Sequence, residues 1–551
     1  MTSSIRAALL LVCCALAFDA SARCRVSWDN PGKRDYDTTR LTVTMGGYSL
    51  SPVMISGKEY QTIRLDNGGS FAPQGYPDLP SVNKAIIIPD EGRMQVKVLD
   101  SDYADISVSG IAPSKGTILR TQDPASVPYV FDEVYTLDAW YPSSIVMLED
   151  PFIQRDFRGC LVRAFPFQYN PIKKVLRVYS KITLRICGTG AGGANLLKRT
   201  HALAAVDAEF GQFYQQRFLN FAPARYPVLS EDGSMLIIAP SDFMSTLAPF
   251  IEWKKRKGVT VEAVTVETVG TTVVAVQSFI ATAYNKPGST LKYVLLVGDA
   301  DKVPTPQISS EVDPPGGGGA DIKYGEIKGN DCYSEVLIGR FSGTIAGDIQ
   351  TQIDRSIFYE TKLTSKDTWL SSVLLTASND TSKNVWGETD ADFINHEYDT
   401  LLGAGYTHVF RHNEDGVGGD GCVTGTAASV TEAINAGVSF WNYSDHGNKT
   451  SFPAVNFSNA QAAMLSNVKK YFYSYAVACY CGEFSTSGGD CFAEALMKAE
   501  VNGEPLGAIG CYMASISQAW DPPYAAVREI LEISLERYPA NKKYTLGGVM
   551  I

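Results

Sequence analysis

Val438-Ser439-Phe440-Trp441-Asn442-Tyr443-Ser444 runs directly into Asp445-His446-Gly447, and Tyr471-Phe472-Tyr473-Ser474-Tyr475-Ala476-Val477-Ala478 runs directly into Cys479. Each run is short and nearly all apolar, which predicts a strand covered on both faces, as in a parallel sheet. Residues 372–377, 406–410 and 508–514 read as companion strands. Amphipathic stretches near 391–402, 428–436, 490–499 and 524–537 read as helices between them. The same alternation starts earlier, with strands at 235–239, 259–266 and 293–297. One helix is expected after the N-cap candidates Ser241 and Asp242, and another near 273–285. Strands alternating with helices predict an α/β fold of doubly wound, mostly parallel sheets in two subdomains, 226–370 and 371–551.

The preceding residues have a different texture. Ala85-Ile86-Ile87-Ile88-Pro89, Met94-Gln95-Val96-Lys97-Val98 and Lys181-Ile182-Thr183-Leu184-Arg185-Ile186 are short apolar or alternating runs among Gly, Pro, Asn and Asp. They predict an all-β domain over residues 23–225. Residues 195–218 read as a polar amphipathic helix leading to this domain's end, and Asp313-Pro314-Pro315 with Gly316 to Gly319 as a flexible surface loop. At the start, Arg6, the apolar residues 7–18 and Ala20-Ser21-Ala22 form a signal-peptide pattern, so 1–22 is expected to be removed on export and the protein to be secreted. The apolar core is too short for a stable span, and no later stretch of about 20 apolar residues exists, so no membrane span is expected.

Composition narrows the function classes. The 551 residues are 45% hydrophobic and 19% charged, enough for a sizeable core in several domains. The net charge of −11, without a dense Lys/Arg run, disfavours a nucleic-acid partner, which would need basic groups against phosphates. Of 11 cysteines, Cys13 and Cys14 fall in the signal segment. The remaining number is odd, so export predicts disulfides with at least one thiol left free. No CxxC pair and no His/Cys pair has zinc spacing.

Ligands of open α/β sheets bind beyond the carboxyl ends of the strands. Neighbouring parallel strands would bring His446 and Cys479 together on that rim. There a thiolate can act as nucleophile, and an imidazole can activate it and protonate the leaving amine. Gly447 has no side chain, so its N–H together with that of Cys479 could form an oxyanion hole. Of five histidines, His201, His396, His408 and His412 lack such a setting. Taken singly, Cys479 reads equally as a small core hydrophobe, and His446 as a surface or hydrogen-bonded residue.

At these residues the chain resembles the gingipain family of cysteine peptidases, clan-mates of caspases and legumain. Asn442-Tyr443-Ser444-Asp445-His446-Gly447 resembles the family's histidine motif, with Asp445 in place of its usual Gly. Val477 to Phe484 resembles the nucleophile motif and Cys491 to Met497 the helix after it. Tyr293 to Asp299, Gly329-Asn330-Asp331 and Ile338-Gly339-Arg340-Phe341 resemble the first subdomain, and residues 50–100 the pro-domain. The resemblance implies a caspase-like zymogen with protein or peptide substrates and its own pro-domain as intramolecular inhibitor. It makes Asp380, in Thr376-Ala377-Ser378-Asn379-Asp380, the third catalytic member, which would orient the imidazole. It implies cleavage after Arg, or Lys, with Asp390 of Gly387-Glu388-Thr389-Asp390 preferred over Asp392 as the carboxylate of the S1 pocket. Trp520 would form the pocket wall, and Tyr524 stands where the family has Met. It places pro-domain cleavage between Arg225 and Tyr226.

The family continues past Ile551, so a truncated catalytic subdomain is expected. No cofactor is required. Calcium as a structural ion fits the family, but no acidic loop here has EF-hand spacing, so no metal ligands are assigned. Two other readings stay open: a non-catalytic secreted adhesin or inhibitor on a peptidase scaffold, motivated by Asp445, and a redox or metal pair at Cys479-Tyr480-Cys481, where Cys481 is otherwise expected to pack or form a disulfide. Asn379, Asn442, Asn448 and Asn456 lie in glycosylation sequons, three of them near the expected cleft, which disfavours their use.

Overall fold

The computed structural model describes residues 25–28, 36–65, 68–70, 72–120, 122–199, 202–229, 232–308, 317–384, 386–486 and 488–550. The expected signal segment and Cys24 lie outside the described residues, as do residues 309–316 of the expected loop.

The N-terminal domain is built from antiparallel strands. Val175–Gly190 pairs along its length with Arg93–Ser107 and also with Thr38–Thr44, while Phe157–Ala164 pairs with Val82–Ile87. Ile86, Phe167, Leu176, Leu184 and Ile186 form the centre of its core. The helix expected over 195–218 is confined to Ala208–Arg217. Upstream, tertiary bonds hold the chain extended: Asn195 Nδ2 donates to the Pro151 carbonyl at 2.7 Å, Leu197 N–H to the Asp90 carbonyl at 2.9 Å, and Arg199 pairs with Asp90 at 2.5 Å. Propensity is a weak guide where such partners exist.

Two parallel sheets follow. The first has the strand order Thr260–Thr265, Ser234–Ala239, Leu291–Val297, Leu337–Phe341. Separate clusters around Leu236, Val294 and Ile280, and around Ile237, Phe250 and Ile353, cover its faces. The helix expected at Ser241 starts later, at Met244, after a 3-10 turn over Ser241–Phe243, and no side chain caps it.

The second sheet has six strands in the order Val423–Thr424, His408–Asn413, Ser372–Ala377, Phe440–Ser444, Phe472–Val477, Ala508–Tyr512, and every pairing is parallel. The strand order reverses between Ser372–Ala377 and Phe440–Ser444, the kind of crevice where such sheets bind ligands. Trp441 and Tyr443 face one core cluster and Phe440 the other, so this strand is buried on both sides. Helices Asp390–Gly403 and Asp521–Ser534 pack on the second face.

Two further expectations change. The described residues hold no disulfide; their eight cysteines are thiols, mostly in separate parts of the fold. Gly318 and Gly319, expected in a flexible loop, are buried and pair with Gln307–Ile308. A Cβ on Gly318 would run into the Ser515 carbonyl oxygen, so only glycine fits this approach.

Candidate active site

Register places the chemistry. Ser444 pairs with Ala377 on one side and Val477 on the other. His446 and Cys479 each lie two positions beyond that pairing, and Asp380 three, so all three leave the carboxyl tips of adjacent strands. His446 Nε2 lies 3.0 Å from Asp380 Oδ2, with side chains 47% and 34% exposed. The hydrogen bond to Asp380 holds the imidazole pKa above its ordinary value, and the same bond holds the Asp380 carboxyl below its own. Asp380 is oriented in turn, its N–H donating to Ser378 Oγ at 3.1 Å. The His446 carbonyl accepts from Tyr443 Oη at 2.8 Å, and the Tyr443 ring stacks on Phe452 at 3.7 Å.

Cys479 is 2% exposed, and its sulfur accepts the Gln518 N–H at 3.3 Å. Tyr480 beside it has a left-handed backbone, φ 60°, costing a non-glycine residue about 1 kcal/mol. Gly447 closes the gap between the two loops. A Cβ there would lie 2.5 Å from the Cys481 sulfur and 2.7 Å from the Cys479 carbonyl oxygen. The His446 loop therefore touches the Cys479 loop backbone to backbone, which a side chain at 447 would prevent. Cys481 is fully buried and donates to the Cys479 carbonyl at 3.3 Å, a packing role.

Asp445 is buried, and its Oδ1 accepts the His446 N–H. Burial pushes its carboxyl well above the usual carboxylate range.

Asp390 and Asp392 have different fates. Asp390 is the first residue of its helix and points into a closed polar pocket, where Ser378 Oγ donates to its Oδ2 at 2.7 Å and Tyr524 Oη to its Oδ1. Asp392 is exposed and forms the capping box of the same helix: its carboxylate accepts the Thr389 N–H at 3.0 Å, and its N–H donates to Thr389 Oγ1 at 3.1 Å.

The pocket is occupied by an arginine of the N-terminal domain. Arg120 Nη2 lies 2.5 Å from Asp390 Oδ2, Nη1 donates to Tyr524 Oη at 3.0 Å, and the guanidinium lies 4.4 Å from the Trp520 ring. Both side chains of the ion pair are buried. The backbone around Arg120 is laid down as an added antiparallel strand. Arg120 N–H donates to the Gln518 carbonyl at 2.9 Å, Trp520 N–H to the Ile118 carbonyl at 3.1 Å, and Leu119 faces Ala519. Gln518, which reaches the Cys479 sulfur, is thus also bonded to Arg120. Sequence reasoning missed Arg120; it stands in a stretch without periodicity, and its partner is 270 positions away.

Arg225 ends a 3-10 turn, Pro223–Arg225, with its guanidinium 5.2 Å from the Tyr36 ring. Tyr226 stacks on Phe221 with centroids 6.0 Å apart. The junction is folded against the N-terminal domain's aromatic cluster. Asn442 is fully buried and bonded to Glu397, so its sequon is closed to modification in the folded chain. Among the described residues no group of three or more His, Cys, Asp or Glu is placed to hold a metal, and no helix is long and apolar enough to cross a membrane.

Thiol and imidazole on adjoining tips of a parallel sheet, behind an all-β domain, define a caspase-like peptidase fold. The sequence profile of peptidase family C25 matches residues 228–551, and that of the C25 propeptide matches residues 34–218. The chain belongs to peptidase family C25. It is 34% identical to gingipain R1 of Porphyromonas gingivalis, over 94% of this chain and 52% of that protein. It is also 34% identical to gingipain R2 of the same species, strain W83, over 93% of this chain and 68% of that protein. The chain therefore spans about half the length of gingipain R1. Among solved structures it resembles the Arg-specific cysteine proteinase gingipain R, with TM-score 0.54 and 35% identity over 58% of this chain and 71% of that one. It also resembles a complex of the pro- and mature domains of Porphyromonas gingivalis RgpB, with TM-score 0.53 and 34% identity over 58% of this chain and 72% of that one.

Proposed function

We propose that this chain is the precursor of an exported cysteine endopeptidase that cuts peptide bonds after arginine, with lysine the weaker alternative. The observation that carries the reading is a pocket beside the Cys479 loop that holds an arginine against Asp390 and Trp520. A P1 arginine of a protein or peptide substrate takes that place. Its carbonyl carbon is attacked by the Cys479 thiolate, and its oxygen is received by the N–H groups of Gly447 and Cys479. The imidazolium of His446, held by Asp380, gives its proton to the leaving amine as the C–N bond breaks. Water then attacks the thioester, His446 takes the water's proton, and the acid and thiolate are released. This chemistry requires no cofactor; calcium would serve only as a structural ion, with no ligands assigned. The sequence pattern of residues 1–22 supports secretion.

The N-terminal domain is the intramolecular inhibitor, with Arg120 as the group that fills the pocket. Activation follows cleavage between Arg225 and Tyr226, which requires that turn to open first. The test is Cys479→Ala in the full chain. It is expected to abolish turnover of Arg-P1 amides by at least about a thousandfold and to leave Arg225–Tyr226 uncut on a denaturing gel. Retained amidase activity in that variant would end the proposal.

A further inference from the structure

Arg120 shows how the pocket reads a guanidinium, and it does so with two groups. Nη2 meets the Asp390 carboxylate at 2.5 Å, and Nη1 meets Tyr524 Oη at 3.0 Å. The tyrosine proton is committed to Asp390 Oδ1, so an oxygen lone pair is left to face Nη1. Nothing in this contact is loose. Tyr524 is buried near the start of helix Asp521–Ser534, and its ring packs edge-on against Phe393 with centroids 4.5 Å apart. Asp390 is fixed in the same way by Ser378. The three groups form a closed cycle in which the terminal nitrogens Nη1 and Nη2 each have their own acceptor.

We propose that Tyr524 is a specificity-determining residue whose hydroxyl receives the second guanidinium nitrogen of a P1 arginine and so sets arginine above lysine. The inference rests on the arginine-cutting function proposed above. A lysine in the same place carries one terminal nitrogen, located about where the arginine Cζ lies. It can reach the carboxylate as a point charge, but it has no second nitrogen extending to the Nη1 position beside Tyr524. With arginine bound, removing the hydroxyl leaves one buried donor and one carboxylate oxygen unpartnered. With lysine bound, less is lost, because the tyrosine was never fully used.

The experiment compares the wild type, Tyr524→Phe and Tyr524→Met. Each full chain is activated with trypsin, which is then quenched with its protein inhibitor, and competent thiols are counted by active-site titration. Matched peptide amides with Arg or Lys at P1 are the substrates. The expected result is a fall of about tenfold in kcat/KM for Arg, mostly through KM, with Lys changed less than about twofold in both variants. The Arg:Lys ratio then drops about tenfold. An unchanged ratio, or a parallel fall for both substrates, would overturn the role of Tyr524 while leaving the arginine-cutting function standing. A wild type with no preference for Arg would instead remove the function on which the inference rests.

Discussion

Two arginines of the propeptide domain reach into the rest of the molecule, and the contacts are of different kinds. Arg120 enters a pocket beside the Cys479 loop, on a backbone aligned as an added strand, and its charge is met by a buried carboxylate. Arg155 docks on the first α/β sheet instead. Its Nη1 donates to the Glu335 carbonyl at 2.6 Å, and its guanidinium lies 5.5 Å from the Tyr284 ring. Around it, Ile153 N–H reaches Asp331 at 2.9 Å, Phe152 packs on Tyr333 at 4.4 Å, and Lys292 bridges Asp207 at 3.1 Å and Glu209 at 2.9 Å. The first contact has the geometry of a substrate and the second that of a domain interface. On the function proposed above, latency and attachment are separable, and a change at one contact should leave the other in place.

The largest effect is expected from Arg120→Ala. Removing one partner of a buried ion pair leaves Asp390 uncompensated, at a cost of about 3–5 kcal/mol to the inhibited state. In a chain made uncuttable by Arg225→Ala, alkylation of Cys479 by an arginine chloromethyl ketone should speed up about a hundredfold. The propeptide should stay docked, because the Arg155 contact is intact. Unchanged alkylation would show that the pocket is not what silences the thiol.

Which of these features could be read before the structure depends on how local their causes are. The strands carrying His446 and Cys479 announce themselves, because burial on both faces forces nearly continuous apolar runs. Asp380 was legible only through family resemblance; nothing in Ser378-Asn379-Asp380 separates it from an ordinary turn. Asp390 and Asp392 could not be divided with assurance, since the choice turns on where the helix begins. Two positions on a helix lie about 200° apart, so once the start is fixed only one carboxylate faces the pocket. Arg120 was invisible, because its partners are set by tertiary contact alone. The extended run before Ala208 was misread for the same reason: its polar residues bond to Asp90 and Pro151 rather than to one another.

The second prediction sharpens the docking half of the comparison. Burial pushes the Glu335 carboxyl up to about 7, against the pull of hydrogen bonds from the Lys328, Ile327 and Arg155 N–H groups. A raised acid favours the docked state at low pH. Its contribution is complete below the ordinary value of about 4.5 and is lost as pH rises through about 7. After cleavage at the junction, the propeptide should dissociate about tenfold more readily at pH 8 than at pH 6, as read by the fraction retained on gel filtration. Glu335→Gln should flatten that dependence. Latency of the uncut chain should follow the pH far less, since Glu335 takes no part in the Arg120 contact.

The smallest effect tests whether the inhibitory contact is concentrated in the pocket or spread along the inserted strand. Asp123, three residues beyond Arg120, accepts a bond from Ser382 Oγ at 3.4 Å across an exposed rim. Water competes freely for both groups there, so the bond is worth a few tenths of a kcal/mol at most. The same side chain also caps its own turn, its carboxylate accepting the Ala125 N–H at 2.8 Å. Asp123→Ala should therefore change the alkylation rate of the uncut chain by less than about twofold, against the hundredfold expected at Arg120. A comparable effect at both positions would mean that the whole strand, rather than the arginine in its pocket, keeps the thiol covered.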